Sequence, residues 1–290
     1  MRHFLVYTNR HKDKNLVLTK KICDYLRQKG QKATVKTEEG DFKERISTDT
    51  DDIPADIPRD VDCMIVLGGD GTVLQAARET KKLHIPIIGV NLGTLGYMTE
   101  IEPANLKESL DRLIAGDYEQ DSRMMLNGKA YLSDGRTEEG WALNDIVITR
   151  SGSLQIIQFN IYVNGQFLND YKADGMIITT PTGSTGYSMA AGGPIVEPTA
   201  KNLLLTPICP HSTRSSSYVL SPEHVITVEA ADANRKFVYL SVDGGKAFSL
   251  KNGDQVRVST SKYTTRLVRL SKKSFCEILD KKMGTEASKK

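Results

Sequence analysis

The sequence predicts an α/β N-terminal domain, in which helices cover a parallel sheet, followed by a β-rich C-terminal domain. The first observation is that strand and helix patterns alternate through about residues 1–120, which is typical of βαβ units. The second is that runs of alternating apolar residues follow, separated by Asn-Gly and Asp-Gly dipeptides that favour hairpin turns. A chain of 290 residues is long enough to fold as two such domains.

In the first domain, strand-length apolar runs alternate with segments whose apolar residues recur at helical spacing. The predicted strands are Phe4–Tyr7, Ala33–Thr37, Cys63–Leu67 and Pro86–Val90, and the predicted helices are Lys14–Lys29, Thr72–Lys81 and Ala104–Ala115. Gly30 and Gly116 directly follow two of these helices, as helix-ending glycines do. The acidic segment Asp41–Asp60 carries Pro54 and Pro58, so we expect a surface loop there.

The second domain is predicted to span residues 121–264 and to be mainly antiparallel. Its predicted strands are Ile156–Val163, Phe167–Tyr171, Met176–Thr180, Ile226–Glu229, Lys236–Val242 and Gln255–Ser259, with turns at Asn164-Gly165, Asp243-Gly244 and Asn252-Gly253. A last strand, Thr265–Leu270, is predicted to return residues 265–280 to the first domain. We expect the polar tail, residues 281–290, to be disordered.

Charge and cysteine usage narrow the class of protein. The 39 basic and 36 acidic residues are well mixed and give a net charge of +3, which suits the binding of small anions but does not indicate a nucleic-acid surface. The four cysteines include no CxxC pair, as in reduced thiols of cytosolic proteins. No apolar stretch is long enough to cross a bilayer. We therefore expect a soluble, cytoplasmic protein without nucleic-acid or membrane partners.

Some weaker signals have simple structural interpretations. Cys209 and His211 stand two positions apart, but no neighbouring Cys or His completes a metal site, so core packing is the better interpretation. The Lys-rich pieces near Lys12, Lys81 and Lys272 are interpreted as solvated faces.

The stretch LGGDGT places one acid among glycines after a predicted buried strand. A strand, a glycine turn and a helix N-terminus together form an anion site, and Gly68, Gly69 and Gly71 would let a phosphate approach the backbone. The loop matches neither GxxxxGK[ST] nor GxGxxG. Asp70 would repel phosphate unless it holds a metal or accepts the proton of an attacking hydroxyl. The structural alternative is a tight turn with a solvated acid.

A second glycine-rich segment runs from Asp174 to Pro194 and contains the string TPTGSTGYS. Small side chains let a ligand lie on the backbone, hydroxyl groups can bond to sugar or phosphate, and the ring of Tyr187 can stack on a base. The alternative is a tight bend that packs closely against the rest of the protein.

Taken together, these segments resemble the NAD kinase family over about residues 60–245. The matching stretches are GGDGT at 68–72, NLGTLGY at 91–97, Asn144-Asp145, KADG at 172–175, TPTGSTGYS at 180–188 and PICPH at 207–211. The GGDGT string is also found in diacylglycerol and sphingosine kinases, so the long second motif is the specific part.

The resemblance implies a two-domain NAD kinase-like architecture and phosphate transfer from ATP, or in some members polyphosphate, to the adenosine 2′-hydroxyl of NAD. Asp70 would accept the proton of that hydroxyl. The phosphate- or nucleotide-binding residues would be Gly68, Gly69, Gly71, Thr72, Asn91 and Lys172. The NAD-binding residues would be Tyr97, Asn144, Asp145, Asp174, Thr185, Gly186, Tyr187, Ser188 and Ala190. A divalent metal, Mg²⁺, would be bound mainly through nucleotide phosphates, and the chain would form a homo-oligomer, either a dimer or a tetramer.

Four positions depart from the usual family pattern. Lys172 stands where Arg is common, which replaces a bidentate contact by a point charge. Gly186 replaces Ala, Ala190 replaces a Ser hydroxyl, and Tyr97 replaces Phe. None of these changes touches Asp70.

Two alternative functions remain open at this point. A lipid kinase acting on diacylglycerol or a sphingoid base would share GGDGT, but it would need an apolar entrance, and the second motif here is small and polar. A catalytically silent NAD-binding sensor would keep the pocket, although the intact Asp70 argues against the loss of catalysis.

Overall fold

The computed structural model describes residues 1–37, 57–93, 96–151, 156–211, 215–231, 238–245 and 247–287. These residues divide into two compact units. The first unit comprises residues 1–37, 57–123 and 265 onward, and the second comprises residues 124–264. Most of the predicted surface loop Asp41–Asp60 lies outside the described residues.

The elements follow one another in this order along the described chain. The strands are β1 (His3–Thr8), β2 (Lys32–Thr37), β3 (Cys63–Gly68), β4 (Ile87–Asn91), β5 (Thr99–Ile101), β6 (Glu119–Tyr131), β7 (Thr137–Ala142), β8 (Asp145–Arg150), β9 (Ile157–Val163), β10 (Gln166–Ala173), β11 (Gly175–Thr179), β12 (Leu203–Ile208), β13 (Tyr218–Leu220), β14 (Ile226–Ala230), β15 (Val238–Val242), β16 (Phe248–Leu250) and β17 (Gln255–Arg269). The helices are α1 (Val17–Gln28), α2 (Asp70–Thr80), α3 (Leu106–Ala115), α4 (Tyr187–Ala190) and α5 (Phe275–Ala287). Among the described residues, no helix is long and apolar enough to cross a membrane.

The first unit is built on a parallel sheet. Strand β1 lies between β2 and β3, and β4 pairs with β3 and β5, all in parallel. Leu267, near the end of β17, joins β4 opposite Ile87, also in parallel. Every residue of β1 and β3 is buried, as expected for parallel strands covered on both faces. The glycine loop therefore starts at the carboxyl end of a fully buried strand, β3.

Helix α1 illustrates how local sequence fixes an element of this unit. Its buried residues Thr19, Ile22, Cys23 and Leu26 recur at helical spacing. The buried carboxylate of Asp13 accepts hydrogen bonds from the Leu18 and Thr19 N–H groups and from the Thr19 hydroxyl, at 2.6–3.0 Å. Because these donors have no partner within the helix, Asp13 satisfies the start of α1 from outside it.

The second unit is built from two mainly antiparallel sheets that share one core. One sheet contains β10, β9 and β14 followed by the first part of β17, and the other has the order β13-β12-β11-β8-β15-β16. Side chains from both sheets, such as Phe159 and Ile148, lie in the same buried cluster. Alternating burial along β9 and β14 is the pattern of strands with one covered face.

The predicted turns differ in what they connect. Asn164-Gly165 joins the antiparallel strands β9 and β10, and Asp243-Gly244 joins β15 and β16. All four of these residues have positive φ, as the central positions of type I′ turns require. Asn252-Gly253 instead joins β16 to β17, which belong to different sheets. The prediction of a hairpin there was wrong, because a turn signal does not specify which strands pair.

Three further predictions need correction. The runs Gln255–Ser259 and Thr265–Leu270 form one continuous strand, β17. Cys209 was interpreted as a core residue but is exposed, with a positive φ of 45°. The tail predicted to be disordered from Lys281 continues α5 to Ala287, while residues 288–290 lie outside the described part of the chain. The prediction rested on the polar composition of the tail, which does not show the contacts, described below, that α5 makes with the rest of the first unit.

Replacing Asp13 by Ala should lower the free energy of unfolding by roughly 1–3 kcal/mol, since three donors would lose a buried acceptor. Burial disfavours the Asp13 carboxylate, but hydrogen bonds from Thr19 and Leu18 outweigh it and lower the pKa. The stabilisation is therefore present above the pKa of the unfolded carboxyl and is lost as the pH falls through the lower folded pKa. Urea unfolding at pH 7 measures the change. The control is Asp24→Ala, which removes an exposed carboxylate from the same helix; equal losses in both variants would contradict the prediction.

Candidate active site

Asp70 is the first residue of α2 and directly follows the glycine loop at the end of β3. Gly69 is the N-cap residue in an extended conformation, and its carbonyl accepts the N–H groups of Thr72 and Val73 at 3.0 and 3.2 Å. The first turn of α2 therefore starts at the loop, where the positive end of the helix dipole favours an anion.

The glycines of this loop are required for different reasons. A Cβ on Gly68 would stand 2.3 Å from the Thr72 hydroxyl oxygen, and one on Gly96 would stand 2.1 Å from Asp70 Oδ1. Gly68 and Gly96 therefore allow close packing within the protein. A Cβ on Gly71 would meet no atom of the described residues within 4 Å, so within that part of the chain Gly71 leaves its side of the loop open.

Two backbone N–H groups hold the Asp70 carboxylate. The Tyr97 N–H donates to Oδ2 at 2.7 Å, and the Met98 N–H donates to Oδ1 at 3.0 Å. Both bonds run from a backbone donor to a carboxylate oxygen and together fix the orientation of the side chain. The side chain is therefore positioned by the chain that precedes β5, which the alternative of a solvated Gly-Asp-Gly turn did not anticipate.

The other predicted residues of the first unit have mainly structural contacts. The Asn91 amide donates to the Gly93 carbonyl, and its oxygen accepts the Gly93 N–H, so Asn91 shapes its own turn. Thr72 is buried behind Gly68. Tyr97 holds Asp70 through its backbone, while its ring lies 3.1 Å from Lys282 Nζ.

Sequence reasoning missed two lysines at this loop. Lys12 was interpreted as part of a solvated face, yet its Nζ lies 3.0 Å from where a Cβ of Gly69 would stand. Lys282 was assigned to a disordered tail. Both lysines are far from GGDGT along the sequence, so only the folded chain reveals their proximity to the loop.

In the second unit, Asp243 organises the segment that carries Asn144 and Asp145. Its carboxylate accepts the N–H groups of Leu143, Asn144 and Asp145 at 2.9–3.0 Å. From the other side, the Thr179 and Thr180 hydroxyls donate to the carbonyls of Asn144 and Leu143 at 2.7 and 2.6 Å. The sequence identified Asp243 only as part of a turn, because this second role depends on a contact about a hundred residues away.

Asp145 and Asn144 carry buried polar atoms with unusual environments. Burial raises the pKa of the Asp145 carboxyl to about 7, and the nearby Asp243 adds to the shift. Asn144 Oδ1 is buried without a hydrogen-bond partner among the described residues. An unpaired buried acceptor is costly, which is the condition expected of a group that receives a ligand.

The segment that contains TPTGSTGYS has a buried side and an exposed side. Ser188 is fully buried, with its hydroxyl 3.1 Å from that of Thr206, and Thr185 is also buried. A Cβ on Gly183 would stand 2.6 Å from the Asn144 carbonyl oxygen, so the segment lies directly on the Asn144 backbone. Gly186, Tyr187 and Ala190 are exposed; the Tyr187 ring, at 46% exposure, is available for stacking.

Arg150 is a partner of Asp174 that sequence reasoning also missed. Its Nε and Nη2 donate to the two carboxylate oxygens of Asp174 at 2.8 and 3.0 Å. The guanidinium lowers the pKa of Asp174 and holds the carboxylate in one orientation. Lys172 lies two residues earlier on β10 with its side chain exposed.

Comparison with known proteins decides the family. The family model for the ATP-NAD kinase N-terminal domain matches residues 5–118, and that for the C-terminal domain matches residues 143–270. A NAD kinase of Agathobacter rectalis is 46% identical, with 98% of this chain and 99% of that protein covered. A NAD kinase of Lachnospira eligens is 41% identical, with 98% and 100% covered. The chain belongs to the NAD kinase family.

Two solved NAD kinase structures share the fold. A yeast NADH kinase, crystallised with NADH, has a TM-score of 0.84 at 24% identity and covers 100% of this chain and 89% of its own. A NAD kinase from Archaeoglobus fulgidus, crystallised with ATP, has a TM-score of 0.72 at 24% identity and covers 96% and 99%. The predicted fold class is confirmed. As a NAD kinase, the chain is a phosphotransferase with an alcohol acceptor, and the lipid-kinase alternative is set aside.

The Asp145→Asn variant should have a flatter stability–pH profile than the wild type. The folded pKa of Asp145 is about 7, above the unfolded value, so the folded state binds more protons between these values. The wild-type free energy of unfolding therefore falls as the pH rises from about 4 to about 7. Asp145 contributes at most about 4 kcal/mol to this fall. Urea unfolding at several pH values between 5 and 8 tests this. Asp170→Asn, at an exposed position of β10, is the control, and parallel profiles for Asp145→Asn and the wild type would contradict the prediction.

Proposed function

We propose that this chain transfers the γ-phosphate of ATP to the 2′-hydroxyl of the adenosine ribose of NAD, making NADP. The observation that carries the proposal is the Asp70 carboxylate, held by two backbone N–H groups at the first turn of α2 beside the open face of Gly71. Membership of the NAD kinase family supports the choice of acceptor.

Asp70 acts in this proposal as the proton acceptor for the attacking hydroxyl. Each carboxylate oxygen accepts one backbone N–H and keeps further lone-pair capacity for a hydroxyl group. In a loose phosphoryl-transfer transition state the attacking hydroxyl must above all be positioned in line with the phosphorus. A carboxylate fixed by backbone groups meets that requirement although it is a weak base.

The second unit supplies the NAD contacts in this proposal. The unpaired Asn144 Oδ1 and the carboxyl of Asp145 would bond to ligand hydroxyl and base atoms, while Tyr187 would stack on the adenine. Asp174, held by Arg150, would orient the ligand. Gly186 and Ala190 would line the exposed side of the pocket, and the buried Thr185 and Ser188 would support it from behind.

For the phosphate donor, we propose Mg-ATP bound at Gly68–Thr72, with polyphosphate as an alternative donor and Lys172 as a point-charge contact. Among the residues that the structure describes, no group of three or more His, Cys, Asp or Glu side chains could hold a metal ion. Mg²⁺ usually keeps several waters and binds through substrate phosphates, so in this proposal the nucleotide supplies most of its ligands other than water. Such an ion would neutralise phosphate charge during transfer.

We further propose a cytoplasmic homo-oligomer. The four cysteines, two of them exposed, are all free thiols, as is usual in a reducing compartment. Phe167 and Val219 are large apolar side chains of the second unit at 60% and 53% exposure, and a subunit contact that buried either of them would be favourable. Light scattering coupled to size-exclusion chromatography would measure the number of subunits.

Asp70→Asn should retain NAD binding and lose turnover by roughly a hundredfold to ten-thousandfold, because the amide cannot accept the hydroxyl proton. The measurement is NADP formation from NAD and Mg-ATP, together with calorimetric titration of NAD into both proteins. If the wild type binds NAD without making NADP, the silent sensor is the correct function. If Asp70→Asn keeps most of its activity, Asp70 is not the proton acceptor.

Gly96→Ala should reduce turnover almost as severely as Asp70→Asn, because the new Cβ would occupy the position of Asp70 Oδ1. The matched control is Gly93→Ala, whose Cβ would meet none of the atoms that the structure describes within 4 Å. We expect near-wild-type thermal unfolding for Gly93→Ala and activity within about threefold of wild type, a change of less than 1 kcal/mol. Equal activity in the two variants would show that the Asp70 orientation is unimportant.

A further inference from the structure

Hydrogen bonds fix the segment just before the C-terminal helix α5 and the first turn of that helix. The Glu100 carboxylate accepts the N–H groups of Leu270 and Ser271 at 3.0 and 2.5 Å. The Ser274 hydroxyl accepts the Glu277 N–H, while the Glu277 carboxylate accepts the Ser274 N–H at 2.7 Å. This reciprocal pair is a capping box, which fixes where a helix begins.

Two consecutive lysines on α5 have different surroundings. Lys281 Nζ lies 3.8 Å from Glu102 Oε1, and both side chains are more than half exposed. Lys282 is half-buried, and its Nζ lies 3.1 Å from the centre of the Tyr97 ring. An ammonium group over an aromatic face is attracted by the negative face of the ring. Tyr97 is also the residue whose N–H holds Asp70.

Lys282 and Asp70 interact electrostatically. Burial lowers the pKa of Lys282 to about 8, and the attraction of Asp70 opposes that shift. The Lys282 side chain is therefore mostly in its charged ammonium form at pH 7, although it is partly desolvated. A desolvated cation interacts more strongly with an anion than a surface lysine does.

We propose that Lys282 contacts the donor phosphates at the Asp70 loop and offsets the repulsion between them and the Asp70 carboxylate; this rests on the proposed kinase function. An acid in an anion site needs a nearby positive charge, and Lys282 brings one from the opposite end of the chain. Its three N–H donors suit phosphate oxygens. The stack on Tyr97 holds the ammonium beside the loop before a nucleotide binds.

The test compares three variants of α5. Lys282→Ala should lower kcat/KM for Mg-ATP by about tenfold to a hundredfold, the value of one charge-assisted hydrogen bond, and leave the dissociation constant of NAD unchanged. Lys282→Arg should recover most of the loss because it keeps the cation and the ring contact. Lys281→Ala removes the same charge one position earlier and should match the wild type. Circular dichroism and thermal unfolding of each variant check that the fold is intact.

Binding of Mg-ATP and of inorganic triphosphate, measured by calorimetry without NAD, separates this proposal from the kinase assignment. Weaker binding of both by Lys282→Ala alone supports the phosphate contact even if the wild type fails to phosphorylate NAD. Unchanged binding and turnover in Lys282→Ala overturn the proposal. Equal losses in Lys281→Ala, or a gain of activity in Lys282→Ala, also overturn it, because they indicate a general charge effect or a blocking helix.

Discussion

The hydrogen bonds from the Tyr97 and Met98 N–H groups to Asp70 are the constraint on which the geometry of the GGDGT loop depends. They require the chain before β5 to pass within contact distance of the first turn of α2. Gly96 allows that approach, because any Cβ there would overlap the carboxylate. The parallel pairing of β3, β4 and β5 sets the distance between the two segments. The fold of the sheet is therefore what holds the acid among the glycines in one orientation.

The sequence predicted those parts of the protein that are encoded locally. The buried strand before GGDGT and the helix after it follow from apolar runs and glycines, and both occur in the structure. Local patterns could not reveal Arg150 as the partner of Asp174, or Asp243 as the acceptor of three N–H groups, because those contacts depend on strand pairing. The polar composition of the tail likewise gave no sign of α5, which is held by Glu100 and by the capping box.

The polar groups of the candidate site are satisfied differently in the two units. Asp70 is satisfied by backbone donors, whereas Asn144 Oδ1 has no partner among the described residues and Asp145 is buried near Asp243. These features cost stability, and the Asp243 and Thr179 hydrogen bonds to the same segment offset part of that cost. A ligand that pairs with Asn144 and Asp145 would remove the cost on binding, so the free energy stored in the segment contributes to affinity.

The contrast between backbone and side-chain contacts at the Asp70 loop has a consequence for specificity. The N–H groups that hold Asp70 belong to the backbone, so substitutions of Tyr97 or Met98 other than to proline keep both donors. The positive charges near the loop, Lys12 and Lys282, are carried by side chains from the two ends of the chain. The charge around the loop can therefore change by single substitutions that leave both donors to Asp70 in place. In the proposed kinase, binding of the donor phosphates would therefore respond more to substitution of these two lysines than to substitution of Tyr97 or Met98.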